Sequence, residues 1–210
     1  VFLHQNSMIT IVNYGMGNLG SVQNMCKRIG VPSEITSDPG VIAHATKLLL
    51  PGVGAFDAAM EKIAESGLRD ILDKKVLEEK VPTLGICLGM QLLTNSSEEG
   101  VLPGLGWIPA KTLKFRFAQD SGLKIPHMGW NRVFVKKESP LIKDLPEEPR
   151  FYFVHSYYVQ CDNEEDVLTT TPYGGDFHSI VQKGNVYGAQ FHPEKSHKYG
   201  MKLLDNFARI

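Results

Sequence analysis

Long apolar runs are missing from this 210-residue chain. No stretch approaches the roughly 18 to 20 apolar residues that a helical membrane span requires, so no membrane partner is expected. An excess of one charge sign is missing too. Twenty-two basic and 23 acidic residues are interspersed, for a formal net charge of −1, which leaves no electrostatic footprint for nucleic acid or an anionic surface. Cysteine is scarce: three residues, an odd number without a secretory leader, point to a reducing cytoplasm rather than a disulfide framework. His44, His178 and His197 form no ligand spacing with cysteines or carboxylates, so neither a metal nor a cofactor is expected. Repeats and low-complexity tracts are absent. What is present, 42% hydrophobic residues, suffices for one globular domain with a sizeable core. Residues 1–7 precede the methionine that opens the first strand-like run; they are read as a foreign remnant and residues 8–210 as a single domain.

Periodicity gives alternating elements in the first half. A β-rich run at 8–13 leads to a helix over 19–29, on which Val22, Cys26 and Ile29 share one apolar face, so Cys26 belongs to the core. A strand at 33–36, a short helix around Val41, a strand at 47–50, a helix over 55–77 and a strand at 81–86 running into a helix at 88–94 follow. The fold class is therefore α/β, a mostly parallel central sheet with helices on both faces. The second half changes to strand-like pieces at 111–117, 131–136, 152–161, 167–171, 179–183 and 186–191, an antiparallel β extension closed by a helix over 199–208. Cys161 lies on one of these strands and is read as packed. No linker divides the chain.

Chemistry gathers at two points. Cys87 stands between Gly85 and Gly89 where the apolar strand gives way to a helix, the pattern of a nucleophile elbow with sulfur in place of oxygen. The helix start favours thiolate there. The plainer alternative is a buried cysteine. Far downstream a strand ends in Phe191-His192-Pro193-Glu194, which presents an imidazole at a strand end with a carboxylate close enough to orient it. Alone this is ordinary turn chemistry; with the elbow it makes a nucleophile, a base and an orienter. Pro51-Gly52-Val53-Gly54, after the strand at 47–50, adds main-chain N–H groups at Gly52 and Val53 that, with the N–H of Leu88, could receive an oxyanion. A tight turn that needs glycine explains those residues equally well.

Gly85 to Gln91 and Phe191 to Glu194 together resemble the class I (triad) glutamine amidotransferases. Within that class the chain is most similar to the glutaminase subunits of imidazole glycerol phosphate synthase, on the further strength of Asn13-Tyr14-Gly15-Met16-Gly17-Asn18, Pro51-Gly52-Val53-Gly54-Ala55-Phe56, His127-Met128-Gly129-Trp130-Asn131, Phe151 to Tyr157 and Glu194-Lys195-Ser196. The resemblance implies a flavodoxin-like amidotransferase fold that hydrolyses L-glutamine through a cysteinyl thioester. Cys87, His192 and Glu194 would be catalytic. Gly54, Gln91, Tyr152 and Ser156 would contact glutamine, and a peptide flip at Gly52-Val53 would switch activity. Ammonia would pass to a TIM-barrel cyclase subunit of histidine biosynthesis, with Asn18, Met128, Trp130 and Lys195 facing that partner.

Three other readings stay open at this level. The stretch 194–201 resembles paralogous glutaminases that feed amidation of a surface-polysaccharide sugar. Gly15-Met16-Gly17-Asn18-Leu19-Gly20 spells a dinucleotide fingerprint after a strand and before a helix, with Glu34 near the ribose-binding spacing, as an oxidoreductase would have. A catalytically silent interaction subunit is the third.

Overall fold

The computed structural model describes residues 8–210; the remnant proposed for residues 1–7 lies outside the described residues. In chain order the first half runs β1 (Ile9–Val12), α1 (Leu19–Arg28), β2 (Ser33–Thr36), α2 (Pro39–Ala43), β3 (Leu48–Gly52), α3 (Phe56–Ser66), α4 (Arg69–Asp73), β4 (Thr83–Cys87) and α5 (Leu88–Leu92). The second half runs β5 (Ser96–Ser97), β6 (Ala110–Lys114), β7 (His127–Arg132), β8 (Phe134–Val135), β9 (Arg150–His155), β10 (Tyr157–Cys161), β11 (Val167–Pro172), β12 (Asp176–Lys183), β13 (Val186–Ala189) and α6 (His197–Arg209).

The main sheet is ordered β2-β1-β3-β4-β13-β12-β10-β6-β5, with β11 on β12 and β8 on β11. Strands β2, β1, β3, β4 and β13 are mutually parallel, and β1, β3 and β4 are buried along their whole length because helices cover both faces. One apolar cluster joins Val22, Met25 and Cys26 of α1 to Leu203, Leu204 and Phe207 of α6; the other joins Ile42, Phe56, Ile63 and Leu72 of α2, α3 and α4. Beyond β13 the sheet turns antiparallel through β12, β10 and β6. The α/β class with an antiparallel extension is thus the observed architecture. Cys26 and Cys161 are both buried, as their positions predict.

Three expected elements are divided. The helix over 55–77 stops at Gly67, which takes the left-handed conformation (φ 69°) that ends α3; the chain resumes as α4 and a π-helical turn at Lys74–Glu78. The strand expected at 131–136 is two strands that part at Val133. β7 pairs with β9 in a separate two-stranded sheet, while β8 joins β11. The piece at 152–161 likewise breaks at Ser156 into β9 and β10, which belong to different sheets. Both strand breaks coincide with a change of partner that no local propensity records.

Candidate active site

Cys87 is the last residue of β4 and holds φ 55°, ψ −114°, a positive φ that side-chain-bearing residues rarely adopt. α5 begins at the next residue and lies hard against the strands. A Cβ on Gly89 would stand 1.8 Å from the Leu50 carbonyl oxygen, and one on Gly85 would stand 2.6 Å from the Gly89 carbonyl oxygen. The two glycines therefore answer to close approach, and the strained turn between them aims the thiol out of the strand end. Leu88, the first residue of α5, has a backbone N–H with no intrahelical acceptor.

The register of β13 against β4 pairs Ala189 with Ile86, so both strands leave the sheet side by side and His192 follows within a few residues. His192 Nδ1 lies 2.8 Å from Glu194 Oε1, and the two side chains are only 4% and 3% exposed. The other Glu194 oxygen, Oε2, is buried without a hydrogen-bond partner among the described residues, so the imidazole is the group that answers the carboxylate's charge. Burial of the ring opposes its protonation. Hydrogen bonding to Cys87 and to Glu194, reinforced by their charges, outweighs that cost and raises the His192 pKa to about 9. Pro193 opens a 3₁₀ turn that Ser196 secures: its hydroxyl donates to the His192 carbonyl oxygen at 2.6 Å and accepts from the Tyr152 N–H at 3.0 Å. In the sequence Ser196 enters only through Glu194-Lys195-Ser196, with no role of its own.

A cavity of about 380 Å³ opens over these groups. Of the predicted contacts, Val53, Gly54, Leu88, Gln91, Ser156 and Lys195 line it together with Cys87 and His192. Gly52 is buried, opposite Cys87 in the β3–β4 register. Tyr152 is outside the wall, its ring flanked by Trp130 (centroids 6.4 Å apart) and by Lys195 Nζ at 5.9 Å. The Gln91 Nε2 donates to the Tyr157 carbonyl oxygen at 3.1 Å and to Gln190 Oε1 at 3.2 Å, which leaves the Gln91 carbonyl oxygen as its uncommitted polar atom among the described residues.

Glu99 also lines the cavity, and sequence reasoning missed it. Burial foremost, then the charge of Asp57, raises its pKa. Asp57 accepts from the N–H groups of Val101 and Leu102 and so fixes the loop that carries Glu99; a Cβ on Gly100 would lie 2.0 Å from that carboxylate. The acidic pair Glu98-Glu99 reads in sequence as a solvated loop, and only folding separates the two roles.

The residues expected at a partner surface are exposed. Met128 and Trp130 are 62% and 45% exposed on β7, opposite Val154 and Tyr152 of β9. Asn18, at the head of α1, is exposed without a side-chain cap, and Lys195 is exposed at the cavity rim. The opposite face of β9 is buried, and so is His127 at the start of β7. There His127 Nδ1 meets His155 Nε2 at 2.9 Å, and His155 Nδ1 meets the Tyr157 carbonyl oxygen at 2.7 Å. That carbonyl fixes the chain of donors: His155 Nδ1–H donates to Tyr157, and His127 Nδ1–H donates to His155. Burial lowers the pKa of His127 to about 4 and that of His155 to about 3. His155 is a satisfied sheet histidine, as its setting suggests.

The dinucleotide reading fails on geometry. Gly17, at φ 102°, packs on the Pro51-Gly52 segment, where a Cβ would come within 3.3 Å of the Gly52 nitrogen. Gly20 has open space around it, whereas a fingerprint glycine at that position serves close helix–strand packing. Glu34 accepts a hydrogen bond from the Thr10 hydroxyl. The glycine-rich loop is a brace for the Pro51-Gly52 segment.

A parallel sheet ending in a strained Cys elbow beside a buried His–Glu pair defines a triad amidohydrolase of the glutamine amidotransferase type. Two solved structures share the fold at 20% identity and a TM-score of 0.71. One is a glutamine amidotransferase, with 96% of this chain and 99% of that chain covered; the other is PurLQS from Thermotoga maritima, with 96% and 97% covered. The family described as glutamine amidotransferase class-I matches residues 11–210. Imidazole glycerol phosphate synthase subunit HisH 2 of Methanococcus maripaludis is 58% identical over 96% of this chain and 99% of its own length. Subunit HisH of Bdellovibrio bacteriovorus is 50% identical over 97% and 100%. The chain belongs to the class-I glutamine amidotransferases and, within them, to the HisH family.

Proposed function

We propose that this chain is the glutaminase subunit of an imidazole glycerol phosphate synthase, converting L-glutamine and water to glutamate and ammonia for histidine biosynthesis. The observation that carries this reading is the buried His192–Glu194 pair set against a cysteine held in a strained elbow. Cys87 sulfur attacks the glutamine carboxamide carbon, and the oxyanion is received by main-chain N–H groups of the Gly52-Val53 segment and Leu88. His192, protonated at neutral pH, gives its proton to the departing ammonia. The thioester then meets a water molecule whose proton His192 takes, and collapse of the tetrahedral adduct breaks the C–S bond, releasing glutamate and its carboxyl proton and restoring the thiolate beside protonated His192. Glu194 orients the ring and balances its charge throughout. Gly54, Gln91 and Ser156 border the substrate, and the Glu99 carboxylate is placed to face an α-ammonium group, which favours a free amino acid over a peptide amide. Tyr152 is outside the wall, with its ring between Trp130 and Lys195 Nζ.

Ammonia needs an acceptor. The name of the 58% identical relative makes it one subunit of a synthase, and the Met128–Trp130 face adjoins the cavity through Val154, which both pairs with Met128 and lines the wall. A cyclase subunit that buries Met128 and Trp130 and reaches Asn18 and Lys195 fits that surface; exposed aromatic anchors are typical of such contacts. The test uses the purified chain with the cyclase from the same organism. Glutamate should be released from glutamine, and Cys87→Ala should abolish this while ammonia-driven cyclisation survives. Loss of both activities, or of neither, counts against the assignment.

A further inference from the structure

Gln190 is fully buried at the exit of β13, and its side-chain amide is spent on two groups of the site. Its Nε2 donates to Cys87 Sγ at 3.8 Å, and its Oε1 accepts from Gln91 Nε2 at 3.2 Å. Its backbone N–H is held by the Ser179 carbonyl oxygen at 2.9 Å, so the strand itself fixes where the amide stands. We propose that Gln190 is a positioning residue for glutamine hydrolysis: one half of its amide seats the nucleophilic sulfur, and the other half sets the orientation of Gln91 and with it the polar edge the pocket offers to substrate.

The physical case rests on which atoms are left over. A buried amide has two donors and two acceptor sites, and Gln190 uses one of each on Cys87 and Gln91, while the Val154 carbonyl oxygen, 4.0 Å from the sulfur, can only accept. With its Nε2 committed to Tyr157 and Gln190, Gln91 cannot rotate end for end without leaving a buried carbonyl facing two acceptors, so its own oxygen is the atom turned to a ligand. The N–H aimed at Cys87 Sγ is a side-chain donor to the sulfur, and Gln190→Glu removes it. A core glutamine that merely fills space would owe nothing to the side chain of residue 87. The sequence offers no hint of this role: a glutamine between an apolar strand and Phe191 looks like the polar tail of a strand.

The inference depends on the glutaminase reading for its kinetic part, and the experiment separates the two. Wild type, Gln190→Glu and Gln190→Met are compared by alkylation of Cys87 with iodoacetamide across pH, which needs neither glutamine nor partner, and by KM and kcat of the complex with its cyclase. Gln190→Glu keeps an acceptor for Gln91 but loses the donor to sulfur and adds negative charge. It should slow alkylation about tenfold near neutral pH, move the alkylation profile to higher pH and lower kcat while KM changes little. Gln190→Met loses both contacts and should also raise KM by about fivefold or more. Gln190→Asn, polar but a methylene short of the sulfur, should repeat the alkylation defect and serves if either other variant fails to fold. Alkylation profiles and KM equal to wild type in folded variants overturn the role of Gln190. A wild-type complex that alkylates normally yet releases no glutamate overturns the glutaminase reading instead.

Discussion

The phenol of Tyr14 donates a 2.7 Å hydrogen bond to the carbonyl oxygen of Pro51, and so holds the peptide plane that leads into Gly52. Burial first, then the nearby charge of Cys87, raises the Tyr14 pKa, so the phenol remains a neutral donor through the working range. A Cβ on Gly52 would meet that phenolic oxygen at 2.7 Å, which shows how closely the two segments fit. Tyr14→Phe should leave the fold intact and loosen the Gly52-Val53 segment proposed to receive the oxyanion. The expected result is a fall in kcat of about fivefold to tenfold, the worth of one buried hydrogen bond, with little change in KM. Steady-state glutaminase assays of the complex measure it.

Glu194→Gln removes one of the two partners that hold a proton on His192. The ring should titrate below the wild-type value of about 9, read by its C2–H resonance, and kcat should fall by about two orders of magnitude or more. The sign for stability follows from the raised pKa. Folding lifts His192 from 6.5 to about 9, so its contribution is complete below pH 6.5 and is lost as pH rises through about 9. The variant should show a shallower alkaline loss of Tm than wild type across that window.

His127 and His155 behave in the opposite sense. Their pKa values are lowered from 6.5 to about 4 and about 3, so the stability they bring is present above pH 6.5 and is lost as pH falls toward those values. The unfolded chain takes protons that the folded one refuses, at up to about 1.4 kcal/mol per pH unit for each ring. Urea midpoints measured at pH 7, 6 and 5 should decline progressively. His127→Gln, which removes one of these titrating rings, should flatten the decline.

Gly89→Ala should not be tolerated. A methyl group 1.8 Å from the Leu50 carbonyl oxygen meets rigid backbone, so α5 must move off the sheet. Overpacking of this kind costs about 3 kcal/mol or more, or roughly 6–12 °C in Tm for a domain of this size. Gly20→Ala, with open space around its Cβ, serves as the control and should melt like wild type.

Much of this arrangement was legible from local pattern. The strand at Ser33–Thr36, the start of α1 at Leu19 and the strand-to-helix turn at Cys87 follow from apolar period and from glycine placement alone. The separate two-stranded sheet was not. His127–Arg132 has no strand-like alternation of apolar and polar residues around Gly129, and its pairing with Arg150–His155 is a long-range choice. Tyr152 shows the limit for the site. It stands next to Phe151 and Phe153, which point into the core, and whether the opposite face of β9 meets a cavity or open surface is decided by β7. Glu99 and Gln190 were invisible for a related reason: each gains its meaning from a residue distant in the chain, Asp57 in one case and Cys87 in the other.

The backbone at Cys87 sits where glycine would rest at ease and a residue with a side chain does not. Thermal endurance and reactivity therefore pull this one position in opposite directions. A glycine there would relieve the backbone but carry no sulfur, so the conformational tension stays where the reacting atom must stand.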